Sequence, residues 1–565
     1  MARNGPDAAS DSNTSSVVAE DESPNYLSHE QILLVMFGLM AGLFLAALDQ
    51  SIVATALPRI VSELGGLEQL SWVVTAYLLT STAVTPLWGK ISDLYGRRRI
   101  FQLCIAIFLI GSALCGLSQN MPQLIAFRAL QGIGGGGLFA IVLSIIGDIV
   151  PPRERGRYQG YFGAVFGLSS VAGPLLGGWF TDGPGWRWIF YVNLPIGLIA
   201  MFIIATLLTV PTPKREHSID YLGAALIVGA VTMLLLYLNW AGDSYGWGAA
   251  NALMLPIGAA ILTGLFIVAE RRATEPILPP SLFANSIFRV GNLYIFLAGM
   301  AMFGALIFLP VYFQAVMDMS PTRSGLALLP AVVGIFTTAI GSGQLITRTG
   351  RYRIYPIIGA SILIVALALF SRLQVETPYW QIAIYAFLFG AGLGFTMQTV
   401  VVAVQNSVPI RDMGSATSAT TFFRNLGASI GTAIFGAVLG IRLAHHLDEQ
   451  FAGGPPAAGQ AAGLEANNIQ AIQALAEPAK RMVLTAYTHA LDDVFRTGIP
   501  FVVLALIVSF FLKEIPLRTG RAPVESPPAP MPAAASSDEQ PPRSAPERPE
   551  RERAPRPQPT VQRHP

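Results

Sequence analysis

Charged residues are scarce in this chain. Asp, Glu, Lys and Arg make up only 12% of its 565 residues, whereas 52% are hydrophobic, and the mean hydropathy is +0.52. A soluble domain usually carries about 25% charged residues. The composition therefore predicts a protein that crosses a membrane several times. The net charge of +2, with no basic run interleaved with aromatic residues, argues against nucleic acid as a partner.

Cysteine and histidine are rare as well. Cys104 and Cys115 stand eleven positions apart on one apolar run, about 16 Å along a helix, which is too far for a disulfide. Residues 1–30 are polar, so we expect no cleavable signal peptide. The six His are scattered along the sequence, and no catalytic triad, metal cluster or nucleotide-binding loop is evident. We therefore predict no enzyme activity and no cofactor.

Long apolar runs are what the chain has in abundance. About 20 apolar residues span a bilayer as a helix. The sequence predicts an all-α integral membrane protein with fourteen transmembrane helices. The runs lie at about 32–57, 70–89, 100–118, 122–148, 158–180, 187–210, 220–240, 252–271, 290–315, 325–347, 354–372, 380–404, 414–440 and 495–513.

The loops between these runs predict orientation and domains. Basic residues concentrate in alternate loops, which places both termini in the cytoplasm. The sequence around 343–351 faintly repeats that around 89–97, which indicates two six-helix halves with two inserted helices between them. The predicted divisions are a disordered tail (1–30), the N-terminal half (31–211), the inserted helices (212–289), the C-terminal half (290–515) and a disordered Pro-rich tail (516–565). An extracytoplasmic loop is predicted at 441–490, with an amphipathic helix at about 466–494.

The loop between the second and third runs carries an ordered set of charges and glycines. Gly89 and Gly96 let helix ends come close together, and Asp93 can pair with Arg97 or Arg98 or meet the partial charge at a helix end. A solvated loop is the alternative, although it does not explain the spacing. The segment resembles the loop signature of the major facilitator superfamily, G-x-x-x-D-x-x-G-R-[RK], which implies a gating role for these five residues.

The first run contains a carboxylate, Asp49. An Asp near the centre of a membrane helix costs about 2.5–3.5 kcal/mol, and burial favours its protonated form, as a proton carrier requires. An Asp permanently paired with a buried cation is the alternative. The segment 48–58 resembles the first-helix signature of the fourteen-helix drug:proton antiporters, L-D-x-[ST]-x-[IV]-x-x-A-L-P, in which the Asp serves proton coupling.

The fourth run contains a cation, Arg128. Its depth, counted from the helix end, places it within side-chain reach of Asp49. We expect Arg128 to hold Asp49 ionised in one conformation and to move away in another. The glycine string after it favours close helix packing rather than nucleotide binding. The motif resembles the superfamily's R-x-x-Q-G-x-G, matched at Arg128, Gln131, Gly132 and Gly134.

Two further features lie in the fifth and thirteenth runs. The fifth combines a helix-kinking proline with small residues and resembles the antiporter motif G-x-x-x-G-P-x-x-G-G, with Ser169 in place of the first Gly. A generic Pro kink is the alternative. We expect this motif to lie at the contact between the two halves; its residues are Gly173, Pro174, Gly177 and Gly178.

In the thirteenth run, Arg424 is a second intramembrane cation, a candidate for substrate binding, for coupling or for a structural role.

The resemblance implies proton-coupled efflux of hydrophobic or amphipathic, often cationic, compounds by alternating access. It implies a bacterial inner membrane, with protons, small substrates and membrane lipid as partners and a periplasmic adaptor protein as a further candidate. A dedicated exporter of a lipid, siderophore or other metabolite is the alternative. Outside the transporters, a membrane sensor would need a signalling domain, and a lipid-acting enzyme would need His or Asp clustered at one membrane face.

Overall fold

A computed structural model of the chain describes residues 29–64, 70–150, 220–240, 250–409 and 412–451, together with most of 158–208 and 475–517. The described residues form helices and connecting turns without strands. In chain order the helices are α1 (His29–Leu64), α2 (Leu70–Tyr95), α3 (Arg97–Leu117), α4 (Met121–Ile149), α5 (172–181), α6 (Trp188–Tyr191), α7 (Asn193–Leu207), α8 (Tyr221–Trp240), α9 (Ala250–Glu270), α10 (Pro280–Ala284), α11 (Ser286–Ala315), α12 (Pro321–Ala327), α13 (Leu329–Thr349), α14 (Ile354–Phe370), α15 (Tyr379–Ser407), α16 (Met413–Gln450) and α17 (Ala479–Ser509).

The helices follow from the apolar runs. Within the described residues, ten helices are long and apolar enough to cross a membrane. The all-helical prediction is thus confirmed, while the number fourteen stays a prediction. Long apolar helices tolerate internal proline when neighbouring helices satisfy the freed backbone groups, and α2 and α11 contain Pro86 and Pro310.

Two helices extend into the segment that we predicted as a loop at 441–490. Helix α16 continues to Gln450, and α17 begins at Ala479, so that 479–494 belong to the last helix. The rest of the predicted loop helix, from 466, lies mainly outside the described residues. So do the predicted tails, apart from the residues next to α1 and α17.

We call helices α1–α7 the N-terminal half and helices α11–α17 the C-terminal half. In the N-terminal half α4 packs against α2 and α3, and in the C-terminal half α11 packs against α16 and α17. Helices α2 and α4 then pack against α16 across the halves. Helices α8 and α9 pack on each other, and α8 also contacts α2 and α16. The ion pair between Lys90 Nζ and a Glu275 carboxylate oxygen (2.6 Å) joins α2 to the segment after α9.

Candidate functional site

A buried polar cluster surrounds Asp49 in the N-terminal half. Arg128 Nη1 donates to Asp49 Oδ2 at 2.5 Å, and Gln131 Nε2 donates to Oδ1 at 2.8 Å. Asn193 Nδ2 also donates to Oδ1, at 3.2 Å. Asp49 is 0% exposed and Arg128 is 1% exposed. All three partners donate, so the arrangement fits an ionised carboxylate, and the predicted proximity of Asp49 and Arg128 is confirmed.

Arg128 is fixed by contacts from three helices. Besides the bond to Asp49 on α1, its Nε donates to the Val73 carbonyl on α2 (3.1 Å), and its Nη1 donates to Gln131 Oε1 on α4 (2.8 Å). The guanidinium lies over the Tyr77 ring, 4.4 Å from its centroid. The buried charges compensate each other inside an apolar bundle.

Asn193 is the member of this cluster that sequence reasoning missed. It lies at the start of α7, and its side chain bridges Asp49 and the Ser112 hydroxyl, to which Nδ2 donates at 3.0 Å. Its signal in the sequence was slight: one amide between Val192 and Leu194 in an apolar run.

The glycines that follow Arg128 allow close packing, as predicted. A Cβ at Gly132 would collide with Thr80 and the Tyr77 backbone on α2. A Cβ at Gly134 would lie 2.5 Å from the Cys104 carbonyl oxygen on α3. These glycines allow α4 to pack closely against α2 and α3. That packing fixes the position of Arg128 relative to these two helices.

The loop motif forms a second cluster, which joins the two halves. Asp93 pairs with Arg97, and its carboxylate accepts hydrogen bonds from the backbone N–H groups of Gly414 (3.1 Å) and Ser415 (2.8 Å). These are N–H groups of the first turn of α16, where the helix dipole favours a negative charge. Arg97 Nε also donates to Asp148 Oδ2 on α4 at 2.8 Å. We call Asp93, Arg97, Asp148 and the first turn of α16 the latch.

The remaining residues of the motif shape the latch. A Cβ at Gly89 would collide with Ser418 on α16, and Gly96 has φ +92°, in the region that favours glycine. Arg98 does not contribute to the latch: it donates to the carbonyls of Ala205 and Leu208 at the end of α7. The turn at 152–156, which follows Asp148 and the end of α4, lies outside the described residues.

The small-residue motif of α5 lies against α1, and this corrects our expectation that it lies between the halves. A Cβ at Gly173 would collide with Ser51, and one at Gly177 would lie 3.0 Å from the Ile52 carbonyl oxygen. Pro174 is half-buried, and a Cβ at Gly178 would meet nothing within 4 Å. The motif therefore positions α1, which carries Asp49.

Three of the six histidines come together where α16 and α17 meet. His446 bridges Glu449 (Nδ1, 3.0 Å) and Asp493 (Nε2, 3.1 Å), and its ring lies 5.5 Å from those of both His445 and His489. The positions of the histidines along the sequence therefore did not indicate this cluster. Both ring nitrogens of His446 are engaged by carboxylates. Among the described residues, no group of three or more His, Cys, Asp or Glu side chains could hold a metal ion.

Comparisons with known proteins identify relatives of this chain in sequence and in fold. The family model of the Major Facilitator Superfamily matches residues 39–432. The uncharacterized MFS-type transporter Rv1877 of Mycobacterium tuberculosis is 42% identical, over 86% of this chain and 70% of its own length. The multidrug transporter protein MdtP of Bacillus subtilis is 36% identical, over 86% of this chain and 94% of its own. The human organic anion transporter MFSD10 is similar in fold alone, with TM-score 0.57, 16% identity and coverage of 84% of this chain and 99% of its own.

Proposed function

Because this chain belongs to the major facilitator superfamily, and is a transporter rather than an enzyme, we propose that it is a drug:proton antiporter of the fourteen-helix type. It exports hydrophobic or amphipathic compounds from a bacterial cell across the inner membrane, with both termini in the cytoplasm. Its fungal efflux-pump relatives LUC4 and FUS6, 34% and 33% identical to this chain, support export. The observation that carries proton coupling is the buried pair of Asp49 and Arg128.

The pair supplies a two-state proton site. With Arg128 in contact, Asp49 is ionised and its negative charge is compensated. When the bundle rearranges and Arg128 withdraws, a carboxylate left in an apolar environment takes up a proton, because burial disfavours its charge. Return of Arg128 expels that proton. Proton binding is thereby tied to the conformation of α1 and α4.

The latch connects the Asp49–Arg128 site to the contact between the two halves. Asp93 on α2 holds the first turn of α16, and Arg97 connects that carboxylate to Asp148 at the end of α4. Helix α4 therefore carries both Arg128 and a latch residue. A movement of α4 that withdraws Arg128 also disturbs the latch, so that proton uptake and opening at this face occur together.

Asp49→Asn tests the proposal. The amide is similar in size but cannot titrate, so we expect a folded protein that has lost proton-driven export. The full-length chain is reconstituted into liposomes, and an imposed pH gradient drives transport of Nile red, a neutral hydrophobic dye. Asp448→Asn is the matched control, because Asp448 is exposed near the end of α16.

The control should transport Nile red as the wild type does, and Asp49→Asn should not respond to the gradient. If Asp49→Asn transports at the wild-type rate and an uncoupler stops both proteins equally, then Asp49 is not the coupling group.

A further inference from the structure

Arg424 is an intramembrane cation that the proton site and the latch leave unused. Its side chain is half-buried and makes no hydrogen bond or ion pair with the described residues. It lies eleven residues after Met413, the first residue of α16, or about 16 Å along the helix, roughly the middle of a bilayer core about 30 Å thick. An uncompensated charge at that depth is costly and marks a functional position.

Arg424 lines a narrow cleft, with room for about one water, between three helices of the C-terminal half. Helix α11 contributes Ile295, and α15 contributes Met397, Gln398 and Val401. The other lining residues are Thr420 and Thr421, which precede Arg424 on α16. The wall is therefore apolar on the side of α11 and α15, apart from one amide.

The hydrogen-bond donors of this cleft favour an anion. The hydroxyls of Thr420 and Thr421 donate to the carbonyls of Ala416 (2.9 Å) and Thr417 (3.1 Å) in their own helix. The Arg424 guanidinium and the Gln398 amide remain as donors for an occupant. No lining residue is acidic, so nothing in the cleft attracts a cation.

Close helix packing fixes the backbone beneath the guanidinium. A Cβ at Gly299 on α11 would lie 2.7 Å from the Arg424 carbonyl oxygen. Further along α16, Cβ atoms at Gly427 and Gly431 would collide with backbone oxygens of Phe296 and Met300. The backbones of the two helices thus approach closely, which holds the backbone beneath the guanidinium in place. Such preorganisation reduces the entropy lost on binding.

We propose that this cleft widens in the transport cycle and that Arg424 and Gln398 then bind the carboxylate of an amphipathic substrate, whose apolar body lies against Ile295, Met397 and Val401. A guanidinium binds a carboxylate with two parallel hydrogen bonds, and the bound anion compensates the buried charge. The cargo thus includes organic carboxylates and zwitterions, and not only the cations typical of multidrug pumps. This assignment rests on the proposed function, since it names the substrate class of the same transporter.

Two matched probes test the assignment: pyrenebutyrate and pyrenebutanol share an apolar body and differ in the head group. Their binding to full-length protein in nanodiscs is measured by fluorescence anisotropy, with protein-free nanodiscs subtracted. We expect Arg424→Gln to weaken pyrenebutyrate binding at least about tenfold, the loss of a charge-assisted hydrogen bond. Pyrenebutanol binding should stay the same. Arg424→Lys, which keeps the charge without the bidentate geometry, should fall between wild type and Arg424→Gln for pyrenebutyrate.

Arg442→Gln is the control, because Arg442 is an exposed arginine of the same helix. It should bind both probes as the wild type does. The proposal is overturned if the wild type does not bind pyrenebutyrate, if Arg424→Gln binds it unchanged, or if Arg424→Gln loses both probes equally. Binding is measured without a pH gradient, so a failure of proton-driven Nile red export would leave this result standing and would count against the proposed function alone.

Discussion

At the scale of single residues, the side chains of Asp49 and Arg128 are both charged and buried, two properties that usually conflict. Burying each charge is expensive, and mutual attraction together with added hydrogen bonds offsets that cost. Here Gln131 and Asn193 supply the added donors to Asp49. The pair is stable only as a whole, because removing one member leaves the other desolvated and without its compensating charge.

Removing the pair in two steps tests this interdependence. We expect Arg128→Gln alone to lower the free energy of unfolding by about 3–5 kcal/mol. Adding Asp49→Asn should recover a large part of that loss, because no unpaired charge remains, while proton-driven export stays absent. Thermal unfolding of the purified variants measures the effect. Arg442→Gln, which removes an exposed pair with Asp493, should cost less than about 1 kcal/mol. Additive losses in the double variant would show that the two residues are not coupled.

Counting residues from the helix ends was enough to predict that Asp49 and Arg128 lie close together. Both residues lie on spanning helices whose ends are marked in the sequence. The same reasoning could not find Asn193. A lone amide in an apolar run has no spacing that singles it out, and only the packing of α7 against α1 and α3 places it at Asp49. For Asp93, the sequence predicted a helix end as a partner without identifying α16.

At the scale of helices, glycine motifs indicate a close approach but not the neighbour that is approached. The helical period shows which glycines share a face. Whether that face meets α1 or the other half depends on the arrangement of the bundle. This is why the contact of Gly173 with α1 was not predictable. The ends of α16 and α17 were missed for a related reason, since their polar extensions are stabilised by mutual contacts, such as that of His446 with Asp493, rather than by apolar periodicity.

Two valine substitutions on α5 test whether its close contact with α1 matters for transport. Gly173→Val should push α5 away from Ser51 and displace α1, so we expect normal insertion with strongly reduced export. Gly178→Val adds the same atoms where a Cβ meets nothing within 4 Å, and export should remain near the wild-type rate. Nile red transport, normalised to the amount of reconstituted protein, compares the two. Equal activity of both variants would mean that the contact of α5 with α1 does not matter for transport.

At the scale of the whole molecule, the two halves are joined at the face of the latch. Helix α16 meets α2 through Asp93 and meets α4 near Gly147, while Gln405 on α15 donates to the Leu143 carbonyl on α4 at 3.1 Å. Sequence reasoning predicted two halves from a faint repeat, but it contained no information on which face is closed. That choice depends on contacts between residues hundreds of positions apart.

A reversible crosslink across this face tests whether the halves must separate during transport. A Cβ at Gly147 would lie 3.3 Å from Met413 Cγ, so cysteines at the two positions come within disulfide range. The buried native Cys104 and Cys115 are first replaced by alanine. We expect oxidation of the Gly147→Cys, Met413→Cys variant to stop Nile red export and a reductant to restore it, because a covalent bond between α4 and α16 prevents opening. Each single variant should be insensitive to oxidation. If mass spectrometry shows complete crosslinking while export continues undiminished, this face does not open in the transport cycle, and the latch is a permanent structural contact.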